Sequence, residues 1–191
     1  MKTLLSLGLA VFVATAFGQE FRLGSAVTDF TLQDLEGRTV RFASLKGDLT
    51  VVMFIATQCP VSNAYNERMQ ALYADYASRG VKFVAINSNV TEPAAEVARH
   101  AAEHGFGFQV FKDPGNVVAD RFGAQFTPEV FVVDRAGTIV YHGAIDDAQN
   151  PASVKTHSLR QALDELLVGR AVSRPETRAF GCTIKREKKT S

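Results

Sequence analysis

The chain is poor in cysteine. It has two in 191 residues, Cys59 and Cys182, and no C-x-x-C pair, because Ser62 stands in the second position. A disulfide-dense framework is thereby excluded; one bridge is permitted, and nothing in the spacing demands it. A charge bias is also missing, with 21 Lys and Arg against 20 Asp and Glu. The chain as a whole therefore lacks the basic surplus of a nucleic-acid binder. Internal repeats and low-complexity linkers are absent. A composition of 46% hydrophobic and 21% charged residues sets aside the disordered and collagen-like classes. Gly105 and Gly107 make no phosphate-binding loop, since a third glycine and a following helix are not there. The length suits one well-buried domain.

Long apolar runs are scarce as well. The one present, Leu4 to Phe17, follows Lys2 and ends at Ala16-Phe17-Gly18, with small residues where a signal peptidase reads. It is short for a membrane span of about 20 residues. The expectation is a signal peptide over 1–18 and a soluble exported protein, periplasmic or secreted. Residues 19–170 then form the domain, and 171–191 a basic tail carrying Cys182. From Val168 onward seven basic residues face Glu176 and Glu187, a composition that reads as a solvated, frayed terminus.

Patterning supplies the elements between. Phe30–Gln33 and Thr39–Phe42 around Leu35-Glu36-Gly37-Arg38 predict a hairpin. Val51–Ile55 and Val81–Asn87 are apolar, partly β-branched runs that read as buried strands. Val61, Tyr65, Met69, Leu72 and Tyr76 recur at helical spacing, with Gly80 as the stop. Helices are also predicted over Glu92–His104, capped by Thr91, and over Val154–Leu167. Phe108–Val110, Glu129–Val133 and Thr138–His142 read as strands, the last two joined by the Asp134–Gly137 turn. This order argues for a layered α/β fold with a central mixed sheet flanked by helices and an N-terminal hairpin.

Cys59 sits where a strand meets a helix, with Pro60 in the first helical turn. A thiol there faces unpaired backbone N–H groups and the positive end of the helix dipole, which favour the reactive thiolate. A buried small hydrophobe is the alternative reading. Among the histidines, His100 and His104 have the i, i+4 spacing of paired ligands. No cluster completes a metal site, and neither a metal nor a cofactor is expected. Asn89-Val90-Thr91 matches a glycosylation acceptor, which matters only in a eukaryotic secretory pathway.

The turn Ala56-Thr57-Gln58-Cys59-Pro60-Val61-Ser62 resembles the active-site turn of the thioredoxin superfamily, with serine replacing the second cysteine. Phe126-Thr127-Pro128-Glu129-Val130-Phe131 resembles its cis-proline strand. Together with Ile86-Asn87-Ser88-Asn89, Tyr141-His142-Gly143 and Gly181-Cys182-Thr183-Ile184-Lys185, these segments resemble the redoxin branch: AhpC/TSA, peroxiredoxin-like and TlpA/ResA-like proteins. The resemblance implies a thioredoxin-like sandwich and a redox role for Cys59. It also implies a cis Pro128 beside Cys59, with the Thr127 backbone available to a substrate peptide. Gln58 and Ser62 would flank the nucleophile, with the Ser62 hydroxyl donating to its thiolate.

Departures from the family divide the mechanisms. Ala56 replaces the peroxiredoxin Thr or Ser, Val52 its proline, and Met53 the buried thioredoxin acid. Asn63 stands where copper-chaperone relatives place a second cysteine. A lone Cys59 can form a mixed disulfide, but another group must release it. Cys182 is the internal candidate for that resolving thiol; a static bridge or a separate free thiol are the alternatives. The leading expectation is thiol:disulfide exchange on a protein disulfide, served by an external thiol reductant. A one-cysteine peroxidase acting on peroxide and a non-enzymatic binding scaffold stand behind it.

Overall fold

The computed structural model describes residues 20–188; the expected signal segment, 1–18, lies outside them. In chain order the elements are β1 (Thr31–Gln33), β2 (Thr39–Arg41), β3 (Leu49–Phe54), α1 (Pro60–Asn63), α2 (Asn66–Tyr76) and β4 (Val81–Asn87). There follow α3 (Ala94–Glu103), β5 (Gln109–Lys112), α4 (Val117–Phe122), β6 (Phe126–Thr127), β7 (Glu129–Asp134), β8 (Ile139–Gly143), α5 (Ser158–Leu167) and β9 (Cys182–Thr183). The main sheet runs β2-β1-β5-β4-β3-β7-β8, mixed as expected: β3 is parallel to β4 and antiparallel to β7. The predicted hairpin is β1–β2.

Alternation along β3 divides the interior in two. Val51 and Met53 face a cluster with Tyr65, Met69, Leu72, Val132, Leu159 and Leu163. Val52 and Phe54 face the other cluster, rich in phenylalanine (Phe30, Phe42, Phe122, Phe131). All of β3 is buried, so the strand that delivers Cys59 is rigid by packing on both faces. Thr57, Cys59 and Thr127 lie beyond the C-terminal end of β3 and around the start of β7, at one edge of the sheet.

Three helix boundaries differ from expectation. The single predicted helix after Cys59 is split at Tyr65: the Arg68 guanidinium donates to the Ala64 carbonyl at 3.2 Å and to buried Asp146, which also accepts from the Tyr65 hydroxyl. The third helix begins at Ala94 after Pro93, and Thr91 does not cap it, because the Glu92 carboxylate is committed elsewhere. The last helix starts at Ser158; the Asp147 carboxylate takes the Lys155 amide and holds that stretch in a loop.

The basic C-terminal segment is not a frayed end. As far as residue 188 it lies on the domain, with Ala179 and Ile184 buried and β9 paired to β6. One of its basic residues is paired on the domain surface, Arg186 with Asp120 at 2.9 Å. Apolar anchors at only a few positions were enough to dock it, against the trend of its composition. Among the described residues no helix is long and apolar enough to cross a membrane.

Candidate active site

Cys59 is the N-cap of α1, with extended backbone, and its sulfur accepts the Ser62 amide at 3.3 Å. This is the helix N-terminal donor that the strand–Cys–Pro sequence predicts. The thiol itself points to the Thr127 carbonyl at 3.4 Å and is almost fully buried. Ser62 contributes through its backbone. Its hydroxyl accepts the Ala56 amide at 3.1 Å, so the expected hydroxyl-to-sulfur bond is replaced by an amide one.

Cys182, distant in sequence, is brought against Cys59. The ladder pairs Thr127 with Cys182 and Phe126 with Thr183, antiparallel, and this register sets the two free thiols close enough to act on each other's acidity. Gly181 enters this ladder at φ 151°, and a Cβ there would overlap the Thr127 carbonyl, so the approach requires glycine. The Thr127–Pro128 peptide is cis, as the resemblance implies.

Electrostatics separate the two thiols. Burial pushes Cys59 up, but bonds from the Cys182 thiol, the Ser62 amide, Thr127 and the Cys182 amide outweigh it, and its pKa falls below the ordinary value. Cys182 moves up, through its bond to Cys59, then burial and the charge of Cys59. The pair is thus polarised, with Cys59 the more acidic thiol and Cys182 the less acidic one.

Two buried carboxylates hold the backbone on either side. Glu92 accepts the consecutive amides of Thr57 (2.7 Å) and Gln58 (3.2 Å), together with the Asn87 and Asn89 side chains. Burial pushes Glu92 up, but these bonds hold it below the usual carboxylate range. Glu129 accepts the consecutive amides of Gln125 (2.7 Å) and Phe126 (2.8 Å), and His142 Nε2 donates to it at 2.7 Å. Half-buried Lys112 donates to Asn87 Oδ1 and to the Asn89 and Glu92 carbonyls. The exposed Gln58 side chain turns to Glu96 rather than to the sulfur.

Glu92, Asn89 and Lys112 escape sequence reasoning because each reaches a partner distant in sequence, and Glu129 escapes it although its amides lie only three and four residues upstream. Their one signal is a polar run, Asn87-Ser88-Asn89, at the end of a largely apolar strand. His100 and His104 come together, ring centroids 4.4 Å apart, but His100 Nε2 meets Asn63 Oδ1 at 3.0 Å. Among the described residues no group of three or more His, Cys, Asp or Glu could hold a metal ion.

The model of the AhpC/TSA family matches residues 23–142. The chain belongs to the AhpC/TSA family. Curated relatives include the thiol-disulfide oxidoreductase ResA of Halalkalibacterium halodurans, 32% identical over 119 residues, 62% of this chain and 66% of that one. ResA of Geobacillus thermodenitrificans is also 32% identical, over 61% of this chain and 66% of its own. The matched region thus spans just under two thirds of these relatives. An uncharacterised conserved protein from Geobacillus kaustophilus superposes with TM-score 0.82 and 34% identity, covering 90% of this chain and 95% of its own. A putative thiol:disulfide interchange protein DsbE from Chlorobium tepidum shares the fold, with TM-score 0.65 and 22% identity over 78% of this chain and 99% of its own. The fold of this AhpC/TSA member is therefore the thioredoxin-like α/β sandwich that the resemblance implies.

Proposed function

We propose that this AhpC/TSA member is an exported thiol:disulfide oxidoreductase in which Cys59 is the nucleophile and Cys182 the resolving thiol. The observation that carries the reading is the register that sets free Cys182 opposite Thr127, whose carbonyl takes the free Cys59 thiol at 3.4 Å, with Cys59 lowered and Cys182 raised in pKa. The relatives named thiol-disulfide oxidoreductase support the reaction class.

The Cys59 thiolate attacks a substrate disulfide, forming a Cys59–substrate bond and releasing one substrate sulfur as thiolate, which takes up a proton. Cys182 then loses its proton and attacks Cys59. The internal disulfide forms and the second substrate sulfur leaves as thiol. Two electrons pass to the substrate, and two equivalents of an external thiol return the chain to the dithiol. The Ser62 N–H and the Thr127 carbonyl orient the sulfur, while Glu92 and Glu129 fix the backbone beside these groups. Gln58 borders the site through its backbone. Export is read from the apolar run after Lys2, and cell fractionation tests it. A peroxidase reading has less support. Position 56 is alanine, and its amide is already taken by Ser62.

The test is thiol counting with peptide mapping after mild oxidation. A reversible Cys59–Cys182 bridge is expected, and Cys182→Ser should accumulate a mixed disulfide at Cys59. Two thiols that stay free, with Cys59 inert to alkylation in the folded protein, would overturn the reading.

A further inference from the structure

The backbone edge beside the nucleophile is already occupied. β9 lies antiparallel on β6, and the Ile184 amide donates to the Gln125 carbonyl at 2.9 Å, extending the ladder. Cys182 thus sits where the cysteine of any extended peptide paired to Thr127 would sit. Cys59 beneath it is only 3% exposed.

The covering segment is tied at both ends and lighter in the middle. Upstream, Thr177 exchanges bonds with β8: its amide donates to the His142 carbonyl at 2.9 Å, and its hydroxyl accepts the Ala144 amide at 3.0 Å. Downstream, the Lys185 amide donates to Asn89 Oδ1 at 2.7 Å and the Glu187 amide to Asn116 Oδ1 at 2.8 Å. Between these ties the segment is seated by buried Ala179 and Ile184, while Phe180, Gly181 and Cys182 are half-buried and Thr183 is exposed. The arrangement is a strap. An extended chain seeking the sulfur must add a strand where one already lies, whereas a compact reagent meets the site beside half-buried Cys182.

We propose that the Gly181–Thr183 strap sets the substrate class of this site, admitting compact, low-molecular-weight disulfides and holding off extended polypeptide disulfides until it lifts. The proposal rests on Cys59 as the nucleophile and deepens that reading. The chemistry is unchanged: one substrate disulfide is reduced to two thiols as the Cys59–Cys182 bond forms.

The experiment isolates the first attack in the full chain carrying Cys182→Ser. Single-turnover rates of mixed-disulfide formation at Cys59 are measured with methyl methanethiosulfonate and with a linear peptide activated as a mixed disulfide on its cysteine. Adding Gly181→Ala, whose Cβ meets the Thr127 carbonyl, should lift the strap. A lifted state present at roughly 10% or less in the Gly181 chain limits only the peptide, so the peptide-to-small-reagent rate ratio should rise about tenfold or more. A ratio unchanged by the substitution overturns the proposal. Should Gly181→Ala misfold, the Gly181 chain still decides. Its peptide rate should reach a plateau with concentration, common to peptides of unrelated sequence, and a linear rise shared with the small reagent overturns the strap. If Cys59 reacts with neither probe, the nucleophile reading falls and the strap with it. If it reacts with both in one ratio throughout, only the strap falls.

Discussion

Thr127 holds both cysteines at once: its carbonyl lies 3.4 Å from Cys59 Sγ, and its hydroxyl donates to the Cys182 backbone carbonyl at 3.4 Å. The two thiols therefore share one backbone reference point, and their acidities should be linked. The alkylation rate of Cys59 against pH should show a midpoint below the ordinary cysteine value of about 8.5. Replacing Cys182 with alanine removes a side chain that holds the Cys59 pKa down, so the midpoint should move up. Iodoacetamide kinetics followed by mass spectrometry check both. A midpoint at or above the ordinary value would remove the polarised pair.

Glu92 should matter more than its distance from the sulfur suggests. Glu92→Gln turns an amide toward buried N–H donors, and a cost of about 2–4 kcal/mol is expected by urea unfolding at neutral pH. Glu92 is lowered in the folded state, so its contribution is fully present above the unfolded carboxylate pKa and is lost as pH falls through the lower folded one. The variant should accordingly show a flatter loss of stability on the acid side than the unmodified chain.

Ser62→Ala separates the backbone role of this residue from its hydroxyl. The Ala56 amide loses its buried acceptor, and a cost of about 1–2 kcal/mol follows. The Ser62 amide still reaches Cys59, so the alkylation midpoint should stay put. A midpoint that rises in this variant would restore the hydroxyl as the sulfur's donor.

Oxidation should stabilise the fold. A Cys59–Cys182 bond would close a loop of well over 100 residues, worth about 4–5 kcal/mol through restriction of the unfolded chain. For a domain of this size that corresponds to a rise in Tm of roughly 10 °C, measurable by calorimetry with and without reductant. Equal Tm values would mean that native strain cancels the gain.

Short-range pattern carried most of the fold into view. Apolar runs such as Val81–Asn87 and the Gly80 stop are local signals, and the Cys-Pro turn declares the helix start by itself. What stayed hidden depends on distant partners. Glu92 reads as the first residue of a helix, yet it faces back to Thr57 and Gln58. Asn89 reads as a glycosylation acceptor, yet it is buried and tied to Glu92 and Lys185. The final segment was the hardest to read. Its charges dominate the average, while Ala179 and Ile184, which seat it, are single residues with no periodicity to announce them.

The strand that covers Cys59 comes from late in the chain, and this has a consequence for biosynthesis. A polypeptide leaves the ribosome with Cys59 long before Cys182, so every nascent molecule passes through a stage with an unpaired thiol and an unoccupied Thr127 edge. Chains that stall or are clipped ahead of Gly181 would stay at that stage. They would be adhesive toward other cysteine-bearing chains, whereas the finished molecule closes its own trap.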